Sequence, residues 1–229
     1  RFKPMVSDGD RVFQGKVIAY LTGPVRPILA GERVMLNLLS HLSGIATLTR
    51  AYVDAVKGYD VNIMDTRKTT PNLRVLEKYA VRIGGGVNHR MGLYDQVLIK
   101  DNHLKAAHLA LSRGKDPIHT LLNTLVSRAR AGAQRNTLIE VEVHNLHQLD
   151  EALRTEADII MLDNFSPEDA AEGVARKKRS GKNVLLEASG GIVLENVEAY
   201  AQSGVDRISI GALTHSARSL DISLDIIIR

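Results

Sequence analysis

Arg67, Lys68, His89, Arg90 and Lys100 stand within one stretch, Asp65 to His103 (DTRKTTPNLRVLEKYAVRIGGGVNHRMGLYDQVLIKDNH), with little acidic counterweight beside them. Such a concentration of cations suits a small, multiply charged anion. The planar fork of arginine matches a carboxylate through paired hydrogen bonds, so these residues fit a rigid dicarboxylate or a pyrophosphate better than a neutral molecule. Their placement agrees. Arg67 and Lys68 follow an apolar run ending at Asp65, Lys100 ends the run Val97-Leu98-Ile99, and His89 and Arg90 follow the triple glycine Gly84-Gly85-Gly86. A solvated surface would scatter these charges; here they sit at the ends of buried-looking strands.

Two acids complement them. Glu142 and Asp163 end successive apolar runs, and nothing basic in their own segments pairs with them. Carboxylates facing an anion pocket repel the ligand unless a cation lies between, which points to Mg²⁺ shared with phosphate oxygens. Hydrogen bonds to a ribose, or an ion pair between Glu142 and Lys100, are the alternatives. Glu140 shares the face of Glu142 by strand alternation and could be the working residue instead. Ser189, Gly190, Gly191 and Gly211 follow two further runs, where backbone N–H groups and helix starts can cradle a phosphomonoester. Thr69-Thr70-Pro71 reads as a helix N-cap with proline in the first turn. His144 and His147 read as solvated side chains rather than a metal pair. No Ser-His-Asp set, HExxH, Walker loop or strand-placed GxGxxG occurs, which removes motif support for hydrolase, zincin and dinucleotide-binding readings.

The elements that must position these residues are legible as β-branched runs alternating with helical patterns. Strands are predicted at 61–66, 96–102, 138–145, 157–164, 183–191 and 206–213, so the class is α/β with parallel βαβ units. Every run leaves polar residues at its carboxyl end, and these converge on one point only if the sheet closes; an incomplete parallel barrel is therefore favoured over an open doubly wound sheet. Glu32 to Lys57 carries apolar residues at helical spacing, with Ser43-Gly44 allowing close contact. The opening residues alternate as short strands joined at Asp8-Gly9 and Gly23-Pro24, and Leu220 to Ile228 alternates as a strand expected to return to that unit. The expected domains are 1–57, a partial N-terminal β-rich unit with connecting helices; 58–215, the barrel; and 216–229, the returning strand.

Composition narrows the class. The chain has 229 residues, 44% of them apolar, enough for a full core. A net charge of +4 with no long Lys/Arg run excludes a nucleic-acid tracker, and the cluster Arg176 to Arg179 suits the end of a helix. There is no cysteine, which rules out disulfides and thiolate metal sites. No apolar run approaches the roughly 18 residues that span a bilayer. The chain reads as cytoplasmic and, opening without Met inside a β-rich unit, as a fragment.

The motifs just quoted, with GERVMLNLLSHLSGIATLTR, IMLDN, EASGGI and ISIGALTHSA, strongly resemble the quinolinate phosphoribosyltransferases. The resemblance runs in order from about residue 8 to the end. It implies an incomplete α/β barrel behind a truncated N-terminal sandwich domain. The implied reaction joins quinolinate to phosphoribosyl pyrophosphate with Mg²⁺, giving nicotinate mononucleotide, pyrophosphate and CO₂ in NAD synthesis. It also implies a homodimer or higher homo-oligomer with shared active sites. By motif, Arg33 of GER, Thr66, Arg67 and Lys68 of DTRK, His89 and Arg90 of NHR, and Lys100 of IKDN match the substrate-binding residues, Arg33 being lent to a neighbouring subunit. Lys100, Glu142 and Asp163 match the catalytic positions, the two acids lying near Mg²⁺ and ribose. Ser189, Gly190, Gly191 and Gly211 match the phosphate cradle. Val34 stands where Thr is common and Asn72 where Gly is common; neither removes a charge. The rival readings are a paralogue associated with molybdate-transport operons and a nicotinate phosphoribosyltransferase.

Overall fold

The structure is a computed structural model that describes residues 1–111 and 120–227. Six parallel strands form its centre: β3 (Asn62–Met64), β4 (Gln96–Ile99), β5 (Leu138–Val143), β6 (Ile159–Asp163), β7 (Leu185–Ser189) and β8 (Arg207–Ser209), preceded by β1 (Phe2–Pro4) and β2 (Ala19–Leu21), an antiparallel pair. Helices fill the intervals: α1 (Val25–Ala55), α2 (Arg74–Ile83), α3 (Asp101–Leu111), α4 (Thr120–Gly132), α5 (Leu146–Ala152), α6 (Pro167–Ser180), α7 (Val197–Gln202) and α8 (Ala212–His215). All six predicted strands exist, each shorter than its apolar run.

The strand order β3-β8-β7-β6-β5-β4 decides between the two expected topologies. An open doubly wound sheet reverses direction at a switch point. Here the order runs one way, and the first strand pairs with the last, Met64 opposite Ser209. That is a barrel with one seam, between β3 and β4. The segment after α2 enters the seam, with Val87 N–H donating to Ile63 O at 2.8 Å and Asp65 N–H donating to Val87 O at 3.2 Å. The triple glycine permits this path. A Cβ on Gly84 would meet Ala46 O of α1 at 2.5 Å, and Gly85 turns at φ +93°.

Register separates two faces. Ile139, Val141, Val143, Ile160, Leu162, Leu186 and Ile208 point outward and pack, fully buried, against Ile45 of α1, Val126 of α4, Leu149 of α5 and Val197 of α7. Alternate positions point inward, where Glu142, Met161, Glu187 and Arg207 lie in one row of register partners and Asp163, Ser189 and Ser209 in the next. The core is thus the layer between sheet and helices, and the barrel interior is polar. α6 illustrates how local sequence fixes the outer layer: Ser166 accepts from Asp169 N–H, Pro167 opens the helix, and Gly181 closes it at φ +67°. Its basic end is structural as expected, Arg176 pairing with Asp150 and Glu172, and Lys177 with Asp206.

The returning strand expected over 216–229 does not form among residues 216–227. β1 and β2 are only three residues long, and the tail instead crosses α1, where Leu220 N–H donates to Ser40 O at 3.0 Å. Gly44 makes the crossing possible, since a Cβ there would meet Arg218 O at 2.1 Å. Gly44→Ala should therefore displace the tail or bend α1 and lower stability by about 1–3 kcal/mol in urea unfolding; an unchanged midpoint would remove Gly44 as the crossing point.

Candidate active site

The carboxyl ends of the strands bring Lys100, Glu142 and Asp163 together. Lys100 Nζ donates to Glu142 Oε2 at 2.5 Å, so the ion pair considered as an alternative is present. Glu142 is buried while Lys100 is about half exposed, which leaves the ammonium facing the mouth. His144 is exposed, in line with its reading as a solvated side chain, and it also lies between the two acids, Nδ1 3.4 Å from Asp163 and Nε2 3.9 Å from Glu142; with Glu142 and Asp101 it forms a group whose ligand atoms lie within 4.8 Å of one another. Its position two residues after Glu142, where β5 leads into α5, was the available signal.

Beyond β3, Thr66 Oγ accepts from Lys68 N–H at 3.0 Å and shapes the turn that exposes Arg67 and Lys68. Lys68 lies along Gly211, where a Cβ would come within 3.1 Å of its Cδ, and its carbonyl accepts from Thr214 Oγ at 2.7 Å. Lys68 thus reaches the expected phosphate cradle. In that cradle Gly190 and Gly191 have φ +94° and +63°, and a Cβ on Gly190 would strike Asn164 Oδ1 at 2.2 Å; Asn164 N–H donates to Ser189 O. The expected N-cap at Thr69-Thr70 is absent because α2 begins only at Arg74. Buried Glu77 of α2 takes over, accepting from Thr70 N–H at 3.1 Å and meeting His41 of α1 at 2.8 Å.

His89 and Arg90 are held from beneath. Asp65, fully buried, accepts from Lys78 Nζ, from His89 N–H at 2.8 Å and from Asn88 Nδ2 at 2.6 Å, and Lys78 also donates to His89 O at 2.9 Å. Burial raises the Asp65 pKa and lowers that of Lys78, each opposed by the other's charge. The His89 ring, expected to serve substrate, is instead turned inward. Its Nε2 lies 3.1 Å from Glu140 and 3.4 Å from Glu187, and its Nδ1 accepts from Arg90 N–H at 2.8 Å. The acidic counterweight missing beside the basic stretch is thus supplied from β5 and β7. Glu140, the alternative to Glu142, lies wholly inside. Arg33 stays apart from these groups: its side chain is 73% exposed and meets only Glu32, at 3.5 Å, among the described ion pairs.

Comparison with known proteins places this geometry. The family described as quinolinate phosphoribosyl transferase, C-terminal domain, matches residues 45–225, and its N-terminal domain matches residues 1–43. The chain belongs to this family. A nicotinate-nucleotide pyrophosphorylase structure from Francisella tularensis is 42% identical with a TM-score of 0.85, covering 97% of this chain and 74% of that one. A probable carboxylating nicotinate-nucleotide pyrophosphorylase of Bacillus subtilis is 49% identical over 219 residues, which is 96% of this chain and 71% of that protein. Its counterpart in Mycobacterium leprae is 48% identical, covering 96% and 73%. The two family domains meet inside α1, which belongs to both. No described helix is long and apolar enough to cross a membrane. Asn72, standing where the family commonly has Gly, takes φ +66°, a left-handed conformation that asparagine tolerates.

The inward array of His89, Glu140 and Glu187 should register in pH-dependent stability. Burial alone would lower the His89 pKa, but the facing carboxylates outweigh it and push it up to about 9. Arg90 N–H opposes a second ring proton, and the same field raises Glu140 through burial and Glu187, so the array as a unit holds the extra proton. The folded state then binds more protons than the unfolded chain between pH 6.5 and 9. This stabilisation is complete below the lower value and lost as pH rises through the upper one. Urea unfolding across that window should fall by up to about 3 kcal/mol; a flat or rising profile would contradict the array.

Proposed function

We infer that the chain joins the phosphoribosyl group of phosphoribosyl pyrophosphate to quinolinate and releases CO₂, giving nicotinate mononucleotide for NAD biosynthesis. One observation carries this reading beyond family membership: a single barrel rim bears arginine and lysine side chains, two adjoining carboxylates and a glycine-lined turn. Arg67, Arg90 and Lys100 suit the two carboxylates of quinolinate. Lys68, Ser189, Gly190, Gly191 and Gly211 suit the phosphate that stays on the ribose.

Mg²⁺ fits the donor set. Glu142 and Asp163 offer hard oxygen ligands at neighbouring strand ends, Asp101 lies in one group with Glu142 and His144, and Mg²⁺ commonly takes one or two carboxylates alongside phosphate oxygens. Bound there, the ion would supply charge stabilisation for the departing pyrophosphate. The residues of the chain do the rest. The bond from ribose C1 to pyrophosphate breaks as the pyridine nitrogen bonds to C1, and the cationic rim stabilises the leaving oxygens. The ring nitrogen is then positive. Its charge stabilises the electron pair left on the adjacent ring carbon as that carbon's carboxylate departs as CO₂, and a proton then bonds to that carbon. Arginine and lysine side chains on the retained carboxylate fix the ring, where an error of about 1 Å can cost on the order of 100-fold. Arg33 is exposed on α1 and far from the barrel rim in sequence, which supports its entering the site of a second subunit in a homodimer or larger assembly.

Quinolinate should bind roughly 10- to 100-fold more tightly than nicotinate, the value of one charge-assisted pair. Arg67→Ala or Arg90→Ala should erase most of that gap in calorimetric titrations while leaving phosphoribosyl pyrophosphate binding largely in place. Equal binding of the two acids, with no CO₂ released from quinolinate, would favour the nicotinate or paralogue reading instead. Chelation should abolish turnover, and full activity of a Glu142→Gln, Asp163→Asn double variant would contradict the metal assignment. Mixing Arg33→Ala with Lys100→Ala protein should restore activity through one intact hybrid site; no recovery after proven subunit exchange would rule out sharing.

A further inference from the structure

We propose that Glu140, backed by Glu187, is a positioning residue for quinolinate binding: from inside the barrel it fixes His89 and Gln96, and through them aims Arg90 at the rim. The proposal rests on the reading that Arg90 holds a carboxylate of quinolinate.

The connections form a closed circuit. Glu140 Oε2 accepts from Gln96 Nε2 at 2.6 Å and faces His89 Nε2 at 3.1 Å. From Gln96 the circuit continues through its backbone, since Arg90 Nη1 donates to Gln96 O at 3.0 Å. From His89 it continues through the ring, since Arg90 N–H donates to Nδ1 at 2.8 Å. Both ends of Arg90, its peptide and its guanidinium, are therefore referred to one carboxylate. Arg90 is 8% exposed, and burial together with nearby Arg67 disfavours its charge, a cost that Glu140 within the barrel and Asp95 partly offset.

The chemistry of the array argues against the two simpler roles. As a packing element it is poor, because His89 Nε2, Glu140 Oε1 and both carboxylate oxygens of Glu187 are buried without a well-directed hydrogen bond, where apolar side chains would cost less. As a metal site its three ligand atoms lie close enough, within 4.8 Å. Arg90 N–H, however, occupies the Nδ1 lone pair, so the ring proton sits on Nε2 and no imidazole lone pair faces the carboxylates.

The test compares Glu140→Gln and Arg90→Ala with the parent chain, measuring dissociation constants for quinolinate and for phosphoribosyl pyrophosphate separately, and the melting temperature. Arg90→Ala should weaken quinolinate by on the order of 10-fold or more. Glu140→Gln keeps the shape and removes the charge. It should weaken quinolinate about 10-fold while leaving phosphoribosyl pyrophosphate within about twofold, a split that loss of structure would not produce. If Arg90→Ala leaves quinolinate binding intact, the underlying assignment of Arg90 falls. If Arg90→Ala weakens it and Glu140→Gln does not, or if Glu140→Gln weakens both ligands alike, the positioning role falls. Should Glu140→Gln fail to fold, Glu187→Gln decides by the same ratio, with an unchanged ratio overturning the proposal.

Discussion

Asp65 and Lys78 form a buried ion pair on which the geometry of the rim depends. Asp65 directly follows β3, Lys78 lies on α2, and between them they hold the N–H and the carbonyl of His89, so the strand end, the helix and the seam-filling segment are joined at one point. Such a pair is a weak source of net stability, because removing both charges from water offsets most of their attraction, as the opposed shifts of the two groups indicate. What it supplies is uniqueness. Losing either partner strands the other charge in the interior, at about 3–5 kcal/mol, so few alternative packings of residues 84–91 compete.

The same logic extends through the barrel. Most of its stability resides in the outward layer of Val, Ile and Leu against the helices, which frees the inward face for acids whose contribution depends on pH. A buried carboxylate held as Glu140 is by Gln96 is stiff, and stiffness is what a site must lend to long basic side chains that would otherwise spend rotamer freedom on binding. The exposed Arg67, Lys68 and Arg33 lack this support. On the function proposed above, they are the groups that ligand or a second subunit would order.

Much of this was legible in the sequence because strand ends are local features: apolar runs ending in Asp65, Lys100, Glu142 and Asp163 announce both the strands and the rim. The missing counterweight to the basic stretch was not legible, since Glu140 and Glu187 meet His89 only after the barrel curls and brings β5 and β7 opposite the seam. His144 is exposed as its sequence setting suggests, but its approach to Asp163 was not legible for a related reason, since that acid lies on the adjacent strand. The start of α2 was obscured because Glu77 satisfies the Thr70 N–H from within the helix across a longer separation than a capping box spans. The tail alternated as a strand does, yet alternation says nothing about whether an unpaired edge awaits it.

Barrel closure has a consequence for how the chain is made. β3 is among the earliest parts of the barrel to be synthesised, but its neighbour in the sheet is β8, near the other end of the chain. Val87 enters the seam by pairing with β3, and the rim is in place only when β3 is itself held. The anion site therefore matures at the most non-local strand pairing of the sheet, where loop-closure entropy is large and folding slow. A nascent chain lacking its last strand has the basic residues without the geometry, so the competence to hold substrate coincides with completion of the barrel.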